Sequence, residues 1–364
     1  MRRVSILRSL GIALSLLGSA CVHLTMPSVP GGSLVVSLPF AASGIRDGRA
    51  EFAARFSEEV ANGERERSLS QWLHNANSTP IAQPAVFRKS GLSVLVVPGI
   101  FGDCLDDQAL PFSDGKVRAR PRNYTEGYAH FLGELGSVRA IQVRGRASTE
   151  VNAKIIAHEV LVEAEKPNVR DILLISYSKG VPDTLVALDA LSQEGRLPAK
   201  VRGFVSVSGV VMGTPIADQM ESLYEDLATK FAPLNCTESS GGEVVSLTVR
   251  ERTAWLSTQK LPAGIGLYSV VAYSERASIA PALTPFYEAL SSLDHKNDGQ
   301  VIAGWMVLPN SKLLAEVKSD HWTYVVAMRR SPSALVREMA SSADFPRDAF
   351  FRALVKTVVT DLGL

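Results

Sequence analysis

The sequence predicts an α/β fold, a doubly wound and mostly parallel sheet with helices on its faces. Three observations carry this. Continuous apolar runs rich in β-branched residues recur from residue 92 onward, as in strands buried on both faces. Helical patterns separate these runs, so the strands are joined by crossovers. One interval between strands, residues 213–262, runs to about fifty residues, far longer than an ordinary loop.

The elements follow in order. "LSVLVVPG" from residue 92 is the first regular strand, bounded by glycines, and "VRAIQVRG" at 138–145 is the second. "EVNAKIIAHEVLVEAEK" at 150–166 is a helix with Val151, Ile155, His158 and Val162 along one stripe, which makes His158 a core histidine. "DILLIS" is the third strand, followed by a helix, "VPDTLVALDALSQEG", that ends in glycine. "VRGFVSVSG" at 201–209, "GLYSVVAYS" at 266–274 and "KLLAEVKS" at 312–319 complete the series. Residues 213–262 read as an inserted cap, helical over "PIADQMESLYEDLATKFAP". Such an insertion lies over the carboxyl edge of the sheet, where ligands bind in α/β proteins. Upstream, "LVVSLPF" is strand-like, and "RAEFAARFSEEVANG" is a helix with Phe52, Phe56 and Val60 four apart.

The chain has 364 residues, 46% hydrophobic and 21% charged, with a net charge of +1. That balance gives no concentrated basic surface for nucleic acid. CxxC pairs, HExxH, GxxxxGK[ST] and GxGxxG are all missing from the sequence, so it supports neither a metal site nor a nucleotide cofactor.

The N-terminus "MRRVSILRSLGIALSLLGSACVHL" reads as a targeting segment. Arg2, Arg3 and Arg8 precede a short apolar run, and Gly18-Ser19-Ala20 are small residues before Cys21. The run is too short to span a bilayer stably. The segment resembles a bacterial lipoprotein signal, which implies acylation of Cys21 and, with Val22 following, an outer-membrane location. It departs from that pattern in placing Leu17 four residues before the cysteine, so plain cleavage after Ala20 is the alternative. In an oxidising compartment Cys104 and Cys236 are a candidate disulfide, with two separate buried thiols as the other reading. The chain thus divides into a signal segment at 1–20, a tether and N-terminal extension at 21–90, and a main domain at 91–364 with the insertion.

The chemistry concentrates at three strand ends. "SYSKG" at 176–180 either projects the Ser178 hydroxyl from a sharp strand-to-helix turn or uses Ser178 as an ordinary helix cap. "VVPGIFGDC" at 96–104 places Gly99 in a turn directly after the first regular strand. "HKNDGQVIAGWMVLPNSKLLAEVKSDHWTYV" at 295–325 carries Asp298 in the loop after the strand at 266–274 and His321 just past the strand at 312–319. His295 precedes Asp298, and Asp294 is the substitute acid. Asp320 adjoins His321, so its side chain should diverge from it.

With these residues in place, the sequence resembles the α/β-hydrolase family over roughly residues 90–330, in the order Ser178, Asp298, His321. Ser176 stands where the family's G-x-S-x-G has its first glycine, and Pro98 replaces the histidine of H-G-x-x-G. The segment from "NDG" to "DHW" is similar to the acid and base segments of bacterial lipases and esterases. The resemblance implies a serine hydrolase with Ser178 as nucleophile, His321 as base and Asp298 orienting it. The N–H groups of Ile100 and Lys179 would bind the oxyanion. Its implied substrate is a small-molecule or lipid ester, with no cofactor. An acyltransferase, a thioesterase and a non-catalytic binding protein of the same fold are the alternatives.

Overall fold

A computed structural model of the protein describes residues 44–61, 68–77, 90–100, 102, 110–114, 126–219, 242–331 and 334–364. The signal segment with Cys21, the "LVVSLPF" run, Cys104 and Cys236 lie outside them, as do residues 220–241 of the insertion.

In chain order the main elements are β1 (Arg46–Asp47), α1 (Arg49–Ala61), β2 (Leu92–Val97), β3 (Ser137–Ala140) and α2 (Thr149–Glu165). They continue with β4 (Asp171–Tyr177), α3 (Gly180–Gln193), β5 (Val201–Val207), α4 (Val249–Thr258) and β6 (Gly266–Tyr273). The last four are α5 (Thr284–Ser291), β7 (Lys312–Lys318), α6 (Ala334–Met339) and α7 (Arg347–Asp361).

The seven strands form one sheet in the order β1-β7-β6-β5-β4-β2-β3, every pairing parallel. Alternate strand residues feed two cores, as a period of two requires. Val94, Val96, Leu173 and Ile175 face one core, with Phe52 and Phe56 of α1 and Phe350 and Phe351 of α7. Leu95, Val97, Ile172 and Leu174 face the other, with Ile156 and Val160 of α2 and Leu185 and Leu188 of α3. Burial on both sides is why these strands read as unbroken apolar runs.

Three features differ from the sequence expectation. The strand at 138–145 stops at Ala140, after which the backbone leaves the ladder. On α2 the buried face is Asn152, Ala153, Ile156, Val160 and Glu163, one position round from the expected stripe, so His158 is exposed rather than core. The stripe was misphased because α2 buries a carboxylate. Glu163 accepts from the hydroxyl of Ser93 at 2.8 Å and from the guanidinium of Arg139. The third feature is β1, two exposed residues that no pattern marks as a strand, pairing with Lys312 and Leu313 of β7. Past Leu313 the same rim of β7 is taken over by residues 72–74. Lys318 N–H donates to the carbonyl of Trp72 at 2.7 Å, and His74 N–H to that of Glu316 at 2.9 Å. The extension thereby packs into the same core as the sheet, through Phe52, Phe56, Trp72 and Leu73.

Phe350 is the hub of that core. Its ring lies 5.1 Å from Phe52, 5.4 Å from Phe345, 5.5 Å from Phe56 and 5.7 Å from Tyr324. Phe350→Ala is expected to lower unfolding free energy by about 3–5 kcal/mol, because the rings around it cannot collapse into the void. Denaturant unfolding with an unchanged m-value would report it, and a loss under 1 kcal/mol would contradict the packing.

Candidate active site

The chain runs outward from β2 to β3, then returns with β4 on the other side of β2 and proceeds to β5, β6 and β7. The order therefore reverses between β2 and β4, and a crevice opens there at the carboxyl ends of the strands. Gly99 and Ile100 follow β2, and Ser178 follows β4.

Ser178 has φ 54°, in the left-handed region. For a non-glycine residue that conformation costs roughly 1–3 kcal/mol and persists only when its surroundings enforce it. They do so through the backbone. Ser178 N–H donates to the carbonyl of Val207 at 3.1 Å, and the Ser178 carbonyl accepts from Val181 at 3.1 Å and Val210 at 3.4 Å. The turn also demands small neighbours. A Cβ on Gly180 would stand 2.6 Å from the carbonyl oxygen of Pro98 and 2.7 Å from that of Val97, and one on Gly99 would stand 2.9 Å from the Cβ of Ser178. Ser176 fits where the resemblance places a glycine. It is fully buried, and its hydroxyl pairs with that of Thr184, one turn into α3, at 2.7 Å.

Past β6 and β7 come the two other residues. The Ser178 hydroxyl lies 2.8 Å from His321 Nε2, and His321 Nδ1 lies 2.6 Å from Asp298 Oδ2. The other carboxylate oxygen of Asp298 accepts the N–H groups of Gln300, at 2.9 Å, and Val301, at 2.8 Å. That leaves Oδ2 for the imidazole alone. Both Asp298 and His321 are buried, and His321 N–H donates to the Asp298 carbonyl at 2.9 Å, so the two loops are tied through backbone as well. The tyrosine before Ser178 also holds the histidine loop. Tyr177 OH donates to the His321 carbonyl at 2.7 Å, and burial pushes its phenol well above the ordinary value, so it stays a donor.

Asp320 diverges from the imidazole, as its position next to His321 requires. One of its oxygens accepts from Trp322 N–H at 3.0 Å and Thr323 N–H at 2.7 Å, and the other from Ala280 N–H at 2.8 Å. Burial raises its carboxyl above the ordinary value, partly offset by those bonds. His295 is exposed, and Asp294 turns its carboxylate to the backbone N–H of Lys296. Among the described residues no cluster of His, Cys, Asp and Glu could hold a metal ion.

Ser178 and His321 open into a cavity of ≈ 420 Å³. One wall comes from the end of β5 and the described ends of the insertion, with Val210, Ile216, Val244 and Leu247. The opposite wall carries Phe286, Trp322, Met328 and Met339. Apart from His321 no ionisable side chain other than the buried phenol of Tyr177 lines it among the described residues, and Thr214 Oγ1 is engaged by the carbonyl of Gln300. The backbone N–H groups of Ile100 and Lys179 have no acceptor among the described residues, and Ile100 borders the cavity beside Ser178.

The Lys179 side chain is a feature that sequence reasoning missed. Its ammonium is buried and lies 2.8 Å from both carboxylate oxygens of Asp183. The signal was present as a Lys and an Asp four apart at the head of an otherwise apolar helix.

No protein-family model and no curated protein matches the sequence. Among solved structures, a metagenomic carboxyl esterase superposes with a TM-score of 0.76 at 27% identity, over 89% of this chain and 95% of that one. The mature Bacillus licheniformis lipase BlEst2 gives 0.47 at 19% identity, over 67% of this chain and 89% of that one. Lipase 1 from Pelosinus fermentans gives 0.46 at 12%, over 73% and 98%. The all-parallel sheet with helices on both faces is the α/β-hydrolase architecture that this chain shares with the metagenomic esterase.

The turn geometry yields a graded expectation. Gly180→Ala should destabilise by about 1–3 kcal/mol or more, because its methyl meets backbone carbonyls that cannot step aside. Ser176→Ala, which removes one hydrogen bond, should cost only about 1 kcal/mol. Denaturant midpoints in the reverse order would contradict the close approach of β2 and α3.

Proposed function

We propose that the protein is a serine hydrolase that cleaves carboxylic esters through an acyl-enzyme. The observation that carries this is the unbroken hydrogen-bonded line from the Ser178 hydroxyl through the His321 ring to Asp298, opening on an apolar cavity. The likeness to a carboxyl esterase over nearly the whole chain supports ester hydrolysis as the chemistry.

On this reading, Ser178 Oγ attacks the ester carbonyl while His321 Nε2 takes its proton. Asp298 holds Nδ1–H and stabilises the imidazolium, and it can do so because its second oxygen is already satisfied by backbone. The carbonyl oxygen becomes an anion, held by the N–H groups of Ile100 and Lys179. The amino end of α3 beside it adds partial positive charge. His321 then protonates the departing alkoxide, leaving the acyl group on Ser178. A water molecule, deprotonated by His321, repeats the addition and releases the acid. The cavity walls fit an uncharged, apolar acyl group, which favours an esterase or lipase.

Export is also our proposal, resting on the N-terminal sequence alone. The segment delivers the enzyme to the cell envelope, with Cys21 as a lipid anchor if acylated.

Ser178→Ala should abolish labelling by a fluorophosphonate probe and reduce kcat by about 10⁵–10⁶-fold, and Asp298→Asn should reduce it by about 10⁴-fold. The assay is a chain-length series of nitrophenyl esters. Labelling that survives in Ser178→Ala, or an intact protein that neither labels nor turns over any ester, would overturn the reading. For the anchor, the mature N-terminus is expected to give the mass of a diacylglyceryl-modified Cys21, and an unmodified Cys21 rejects lipidation.

A further inference from the structure

Nothing in the reaction as drawn uses the side chain of Lys179, yet it is one of the most unusual groups in the molecule. It is 1% exposed, it sits between the nucleophile and α3, and among the described residues its partner is Asp183, also 1% exposed. A lysine at a helix amino terminus opposes the helix dipole. A buried ion pair is seldom a net source of stability, since apolar residues of like volume often do as well. The pair therefore calls for an explanation other than stability.

The surroundings supply one. Asp183 is fully engaged on both oxygens. Oδ1 accepts from Thr149 Oγ1 at 2.8 Å, and Oδ2 accepts from Asn152 Nδ2 at 2.8 Å, besides the two contacts to Lys179. Asn152 in turn clamps the backbone of Arg144 in both directions, its Oδ1 accepting Arg144 N–H at 3.0 Å and its Nδ2 donating to the Arg144 carbonyl at 3.0 Å. The Lys179 side chain is thus tethered to the first turn of α2 and, through Asn152, to the loop after β3. The peptide that carries the Lys179 N–H shares its plane with the Ser178 carbonyl, which Val181 and Val210 hold from one side, and the tether at Asp183 fixes the residue on its other side.

We propose that the buried Lys179–Asp183 pair, anchored by Thr149 and Asn152, is a positioning device that aims the Lys179 N–H at the oxyanion. This rests on the function proposed above. Lys179 contributes its backbone to the reaction and its side chain to the orientation of that backbone, while Asp183 is a positioning residue that touches no reacting atom. Burial raises the Asp183 carboxyl against the pull of Lys179, Asn152 and Thr149, so each donor matters to keeping the pair ionised. The guanidinium of Arg252, from α4 in the insertion, is buried too, and attraction to Asp183 and Glu150 partly offsets the burial that lowers it to about 10.

The test is the double variant Lys179→Met/Asp183→Asn, which removes both charges at similar volume and keeps an oxygen acceptor for the Thr149 hydroxyl. Active sites are counted by fluorophosphonate titration, and kcat and KM are measured on a nitrophenyl ester. Affinity for a trifluoromethyl ketone, which carries the oxyanion in its adduct, is compared with that for a non-reactive apolar alcohol. We expect kcat and ketone affinity to fall together by about ten- to a hundredfold, the range that a misplaced catalytic group costs. KM, alcohol affinity and Tm should stay nearly unchanged. An unchanged kcat per titrated site overturns the proposal, as does a loss that tracks Tm or KM instead. If the double variant does not fold, Thr149→Val, which removes one bond to Asp183, should lower kcat and ketone affinity severalfold at constant KM, and no change there also overturns it. Failure of the hydrolase reading itself looks different, because the unaltered protein would then neither label nor turn over.

Discussion

The structure depends on one close approach, that of the ends of β2 and β4 around Ser178. Its left-handed backbone is strained, and the strain persists because three backbone hydrogen bonds and two glycines leave no alternative. Gly180 allows α3 to start directly against the carbonyls of Val97 and Pro98, and Gly99 lets the neighbouring loop pass over the serine. Everything downstream inherits this fixed point. The hydroxyl stands clear of the sheet, α3 points its amino end at the crevice, and the loops after β6 and β7 reach the hydroxyl only because the sheet holds their strands in register beside it.

Three buried carboxylates show how the fold bears charge in its interior. An unpaired carboxylate there costs several kcal/mol, so each is surrounded by donors. Asp298 is held by two backbone N–H groups and the histidine, Asp320 by three backbone N–H groups, and Asp183 by a lysine, a threonine and an asparagine. The first two bind the segments around residues 280, 298 and 321 into one unit. The third binds the opposite side of the crevice. Ser178 and His321 thus lie between two separately braced sets of loops, beside the apolar cavity.

Much of this was legible in the sequence, for physical reasons. Strands buried on both faces must be apolar throughout, so β2, β4, β5 and β6 stand out, and the turns at Gly99 and Ser178 fall where those runs end. Asp298 and His321 were singled out because each follows a strand and their order matches that of the family the sequence resembles, and the structure brings both to Ser178. What escaped was set by tertiary contacts. The two-residue β1 owes its state to Lys312 and Leu313 rather than to its own residues. The phase of α2 was misread because Asn152 and Glu163 are buried polar residues that count as surface in any hydropathy pattern. The interaction of Asp183 with Thr149 and Asn152 spans some thirty residues and leaves no local trace.

The way residues 72–74 take over the rim of β7 has a consequence for the edge of the sheet. A long bare strand edge is a template for other chains, and proteins usually blunt such edges. Here the blunting is done by a segment that enters antiparallel and late along the rim, held by the bonds at Trp72 and His74 and by the burial of Leu73. Without that segment, Glu316 to Lys318 would offer open main-chain groups next to the loop bearing His321. The segment that packs Trp72 and Leu73 into the core thus also closes the edge of the sheet.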